Sequence, residues 1–134
     1  MKKVGIPEKM QKFYGFGTML HPDEEMVGAM IGQIPEGKVA TINSLCERLA
    51  MDHDTNVTCP MRTSNIVKAM MQIAGDASAS IPSWRVIRKN HLLINSPVTA
   101  QCAEKLQKEG IQVHQNSKGE FKVQGASDRL FIFP

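Results

Sequence analysis

Apolar residues recur at helical spacing in four stretches of the chain. In "HPDEEMVGAMIGQI" the stripe is Met26, Met30, Ile31 and Ile34, and steps of three and four residues turn one helix face toward a core. Pro22 suits the first helical position, and Asp23, Glu24 and Glu25 suit the positive end of the helix dipole. "PEGK" breaks this helix. "TINSLCERLAM" is the second, with Thr41 as N-cap and Ile42, Leu45, Cys46 and Leu49 on one face. The polar "DHDTNVTCP" reads as a loop. "RTSNIVKAMMQIAG" is the third helix, capped by Thr63 or Ser64 and closed by Gly75. Its buried stripe is Ile66, Val67, Met70, Met71 and Ala74, which leaves Asn65, Lys68 and Gln72 facing outward. "TAQCAEKLQKEG" is the fourth, closed by Gly110.

Alternation replaces helical spacing in two places. "IPSWRVIRKNHLLI" reads as a strand with a return hairpin, and "IQVHQNSKGEFKV" as a hairpin turning at Lys118-Gly119. "FYGFGTML" falls in an ordered N-terminal arm, residues 1–20, and the apolar tail "RLFIFP" is expected to dock on the body formed by residues 21–134. Helices followed by a hairpin give the order of a winged helix-turn-helix, in which the later helix enters a DNA groove and the hairpin touches the backbone. The expected class is therefore α+β: mainly helical, with small β elements.

Composition narrows this picture. A chain of 134 residues, 42% of them hydrophobic, has material for one domain and one modest core. No run of eighteen apolar residues occurs, and "MKKVGIPEKMQKF" lacks the apolar stretch of a secretory signal, so cytoplasmic residence without membrane association is expected. Cys46, Cys59 and Cys102 are odd in number and form no C-x-x-C pair, which fits reduced thiols. His53 and Cys59 share a loop but offer two ligands only, so neither metal nor other cofactor is expected. Charge is uneven. Residues 60–100 carry Arg62, Lys68, Arg85, Arg88 and Lys89 against Asp76, a net +4, while the remainder nets −1. A basic middle on a near-neutral chain points to an anionic partner, or to a solvated face.

Two segments carry a family resemblance. "IPEGKVATINSLCERL" resembles I-P-x-G-K/R-V-A-T-Y-G-x-L-A, which opens the DNA-binding domain of the O6-alkylguanine-DNA alkyltransferases. "IPSWRVIR" resembles their active-site segment, I-P-C-H-R-V, and "AEKLQKEGIQV" the helix and turn after the wing. The resemblance spans residues 22–113. In that family a cysteine thiolate, with a histidine acting through water, removes the alkyl group from a flipped guanine. Ser83 and Trp84 occupy these two positions here. A serine hydroxyl stays protonated at neutral pH and its activating histidine is gone, so no catalytic residue is assigned. A branch of the family lacking the cysteine binds alkylated DNA without repairing it.

What this resemblance implies is a non-catalytic, monomeric protein. Its partner is double-stranded DNA, alkylated DNA included, and a repair protein would read the flagged lesion. DNA contacts are expected from Arg62, Thr63, Ser64, Asn65, Lys68, Arg88 and Lys89, with Arg62, Thr63, Lys68, Arg85, Arg88 and Lys89 able to bind phosphates. Ile42, Pro82, Ser83, Trp84 and Val86 would form the base pocket, with Trp84 packed in the core as the alternative. Arg85 aligns with an arginine that acts as a strut. Departures are several. Ile42 stands where the family has the tyrosine that helps rotate the nucleotide, and Asn65 where it has the arginine finger. The loop before the third helix is longer, and Gly75-Asp76 lie near the place of a missing asparagine. Two other readings stand beside this one: a diverged protein-interaction module presenting the arm and tail, and an enzyme using Ser83.

Overall fold

The computed structural model describes residues 2–74 and 81–134. Gly75 and Asp76 lie outside them, and so does the expected closure of the third helix by Gly75. The described chain is α+β, with five α-helices, seven short strands and a winged-helix arrangement.

The arm is more structured than its composition predicts. Strand β1 (Lys2–Gly5) pairs antiparallel with β2 (Thr18–His21), with helix α1 (Glu8–Tyr14) between them. β2 in turn pairs in parallel with β4 (Val57–Thr58), in the stretch read as loop. Ile6, Met19 and Cys59 form a small core under this sheet.

Helix α2 (Glu24–Ile31) starts two residues later than expected. Asp23, not Pro22, is its boundary: the carboxylate accepts the Met26 N–H at 2.9 Å, satisfying a donor that the first turn leaves unpaired. The stripe behaves as predicted, with Met30, Ile31 and Ile34 buried and Met26 packed against them. β3 (Ala40–Thr41) leads into α3 (Ile42–Asp52), where Thr41 Oγ1 accepts the Ser44 N–H as the expected cap. Leu45 and Leu49 are fully buried, and burying a leucine contributes about 2 kcal/mol each.

Helix α4 (Pro60–Ala74) corrects the reading of its start. Pro60 opens it, since the missing N–H is no loss in a first turn. Thr63 and Ser64 therefore sit inside the helix rather than capping it. Thr63 is fully buried and its hydroxyl donates to the Cys59 carbonyl at 2.8 Å, one turn back. Val67 and Met71 face the core, and Asn65 and Gln72 are exposed as expected.

The segment from Ser83 is not a continuous strand. Ser83–Arg85 form a single 3-10 turn, followed by β5 (Val86–Ile87), which pairs in parallel with β3. The return hairpin is present only as bridges. Arg88 N–H donates to the Leu92 carbonyl, and His91 takes a left-handed φ of 70° at the turn. Leu92 then bridges to Lys122 and Leu93 to Ile87. α5 (Thr99–Lys108) precedes the hairpin of β6 (Val113–Gln115) and β7 (Phe121–Val123). Its turn passes through Gly119 at φ 82°, as the Lys118-Gly119 reading requires. The tail docks in part. Phe131 N–H donates to the Val39 carbonyl and Phe133 is buried, whereas Ile132 is 85% exposed.

Candidate nucleic-acid interface

Two neighbouring places take shape around β5: a closed polar strut on one side and an open basic cavity on the other.

The strut is built on Arg85. Its guanidinium meets Glu109, just past the end of α5, with Nε 3.0 Å from Oε1 and Nη2 3.0 Å from Oε2. Nη1 donates to the Ile34 carbonyl at 2.7 Å. Trp84 Nε1 donates to Glu109 Oε2 at 2.7 Å, and the Gly37 N–H to Oε1 at 3.0 Å. The Lys105 ammonium lies 4.6 Å from the Trp84 ring centre. One carboxylate thus ties together the "PEGK" turn, the 3-10 turn and the end of α5, and Arg85 extends the link to the Ile34 carbonyl beyond α2. Burial opposes its charge, but donors from Arg85, Gly37 and Trp84 outweigh that and hold its pKa below the ordinary value. The side chains of Arg85 and Glu109 are only 14% and 6% exposed. Arg85 is therefore neutralised, a bidentate strut rather than a phosphate contact.

Beside this strut, most of the residues expected to form the base pocket are closed off from the open cavity. Pro82, Ser83 and Val86 are buried. Ser83 Oγ has no hydrogen-bond partner among the described residues. Trp84 is half-buried and turned to Glu109. Of the five residues expected there, only Ile42 lines the open cavity. Where a strand was expected, Ser83, Trp84 and Arg85 form a 3-10 turn.

The cavity, about 1330 Å³ and open to solvent, lies between α3, the β4 segment, the start of α4 and the loop of residues 88–95. Ile42, Asn43, Cys46 and Glu47 contribute from α3, and Ser64 and Lys68 from α4. Arg88, Lys89, Asn90 and Asn95 close the opposite side. Among the described residues three cations face Glu47 as the one acid of the lining, and a concave wall of low polarizability concentrates such a positive field. Four of the seven expected DNA contacts, Ser64, Lys68, Arg88 and Lys89, converge here. Three do not. Thr63 is buried, its hydroxyl bound to the Cys59 carbonyl, and leaves that set. Asn65 is exposed on α4 away from the cavity, and Arg62 is exposed near His21. Burial, followed by Arg62 and Lys2, pushes the His21 pKa below its ordinary value.

Cys46 is the thiol on the cavity wall, a change from its reading as a core residue. Burial pushes its pKa up to about 11, as it does for Cys102. At neutral pH the Cys46 thiolate is scarcely populated, and only the thiolate is a competent nucleophile. Asn43, Asn56, Asn90 and Tyr14 also line the cavity and escaped the sequence reading. The periodicity of α3 puts Asn43 outside the apolar stripe, a signal that was present. Nothing local marks Tyr14 or Asn56.

No family model matches the chain, and no curated protein does. Two solved structures share its fold. One is Schizosaccharomyces pombe Atl1 in complex with damaged DNA containing O6-carboxymethylguanine, at 21% identity and a TM-score of 0.62. The other is S. pombe ATL in complex with DNA, at 22% identity and a TM-score of 0.61. Each likeness covers 83% of this chain and 94% of the other. The fold resembles that of Atl1. At this identity the likeness is one of fold, and it agrees with the winged-helix order expected from the helices and hairpin.

Proposed function

We propose that this chain is a non-catalytic DNA-binding protein that receives an alkylated guanine and marks it for repair. The observation that carries the reading is the cavity: Lys68, Arg88 and Lys89 meet there against one acid, beside the first turns of α3 and α4. The fold shared with a protein solved on DNA containing O6-carboxymethylguanine supports the same partner. Within this reading Ser83 is a filler, since it is fully buried and is not part of the cavity lining. The protein acts as a monomer in the cytoplasm and passes the lesion to a repair protein. Binding to duplex DNA with and without O6-methylguanine, across a salt series, tests the proposal. Salt-sensitive binding that tightens with the lesion is expected. No binding at low salt refutes it, and binding without lesion preference reduces it to phosphate attraction.

A second reading has its own observation. Phe16 in the arm and Ile132 in the tail, the two segments such a module would present, are 83% and 85% exposed. A stable co-purifying protein, together with indifference to DNA, would favour an interaction module.

A further inference from the structure

If a base enters the cavity, it needs a face to lie against. The α3/α4 pair offers none. Ile42, in the first turn of α3, has no π-system, Asn65 does not line the cavity, and Trp84 is occupied by Glu109. The arm offers one. Tyr14, the last residue of α1, lines the same cavity and is 42% exposed.

Its position is built rather than incidental. Gly15 closes α1 by donating to the Gln11 carbonyl at 2.7 Å. The chain then reverses through Gly17, at φ 130°, where the Asn56 side chain lies so close that any Cβ would collide with it. Asn56 Oδ1 accepts the Thr18 N–H at 3.0 Å and the Thr18 hydroxyl at 3.3 Å, while its own N–H donates to the Thr18 carbonyl at 3.1 Å. Asn56 is itself part of the cavity wall. The turn after α1 is thereby fastened to that wall, and Tyr14 is held at its edge. An aromatic ring and three cations lining one cavity are the combination that binds an unpaired base and its phosphates together: the ring takes the base face, the cations the backbone.

We infer that Tyr14 is a nucleobase-stacking residue, so that the N-terminal arm supplies the aromatic face that α3 and α4 lack. The inference rests on the DNA-binding reading, and its test separates the two. The full chain is titrated with a duplex carrying one bulged 2-aminopurine and with the same duplex fully paired. End-label anisotropy reports affinity, and 2-aminopurine emission reports stacking. The wild type binds the bulged duplex more tightly and quenches its emission. Tyr14→Leu keeps the bulk but loses the ring. It weakens binding to the bulged duplex by about tenfold, abolishes quenching and changes affinity for the paired duplex by less than about twofold. Tyr14→Phe restores wild-type behaviour, which also shows that position 14 tolerates replacement. If Tyr14→Leu matches the wild type on the bulged duplex, stacking is overturned and DNA binding stands. An equal loss on both duplexes overturns it as well, because Tyr14 would then only hold the arm. A Tyr14→Phe variant that fails like Tyr14→Leu overturns the role of the ring face. If the wild type binds neither duplex, both readings fall.

Discussion

Arg85 and Arg88 are three residues apart and have opposite fates. Arg85 is held, largely shielded from solvent, in a fork with Glu109 and the Ile34 carbonyl. Arg88 is exposed at the cavity edge beside Lys89. On the strut side, charge holds elements together and is neutralised within the protein. On the cavity side, charge is left facing solvent and remains available to an anion. A basic count over residues 60–100 adds the two together, although only the second bears on a partner. Burial and the nearest carboxylate decide which arginine does which job.

The largest expected effect comes from breaking the strut. Glu109→Ala leaves the Arg85 guanidinium buried without its counter-charge and orphans the Gly37 N–H. Urea unfolding should show a loss of about 3–5 kcal/mol, the usual consequence of removing one partner of a buried ion pair. Trp84→Phe removes one hydrogen bond to the same carboxylate and should lose only about 1 kcal/mol.

The cavity side should respond in the opposite way. The double change Lys68→Glu, Arg88→Glu is expected to weaken duplex binding by about a hundredfold or more and to flatten its salt dependence. The unfolding midpoint should barely move. Retained affinity would mean that DNA docks on another face.

Acid gives a milder test of the strut. The Glu109 pKa is lower in the folded chain than its ordinary value of 4.5. A depressed carboxylate contributes stability above its unfolded pKa and loses it as pH falls through the folded value. Stability should therefore decline below about pH 4.5 in the wild type, and less steeply in Glu109→Gln. Parallel pH curves for the two proteins would contradict the assignment.

The smallest effect is expected at Ser83. Its buried hydroxyl has no partner among the described residues, and an unpaired buried hydroxyl costs about 1–3 kcal/mol. Ser83→Ala should leave stability unchanged or raise it by about 1 kcal/mol, with DNA binding intact. A loss of DNA affinity would return Ser83 to the binding site.

Much of the architecture was legible along the chain because its signals are local. Thr41 caps α3 through the N–H three residues on, Gly119 turns a hairpin whose strands flank it, and the stripe of α2 needs only helical periodicity. Where a second local signal competed, the reading slipped. Asp23 outranked Pro22 as the start of α2, and Pro60 placed the start of α4 ahead of two plausible caps. The site was less legible. Ser64, Lys68, Arg88, Lys89 and Ile42 reach the cavity, while the rest of the expected base pocket is buried or turned away.

By itself the sequence determined the four helices α2 to α5, the late hairpin, the α+β class and the "IPSWRVIR" segment that replaces the I-P-C-H-R-V of the alkyltransferases. These follow from caps, turns and periodicities spanning a few residues, or from motifs that are contiguous. The tertiary structure alone decided that Trp84 meets Glu109, that Arg85 is spent on the same carboxylate, and that Thr18 and Asn56 bring Tyr14 to the cavity. Those pairs are separated by 25, 24 and, for Thr18–Asn56, 38 residues. A side chain's direction depends on which distant group completes its hydrogen bonds, and no periodicity along the chain encodes that choice.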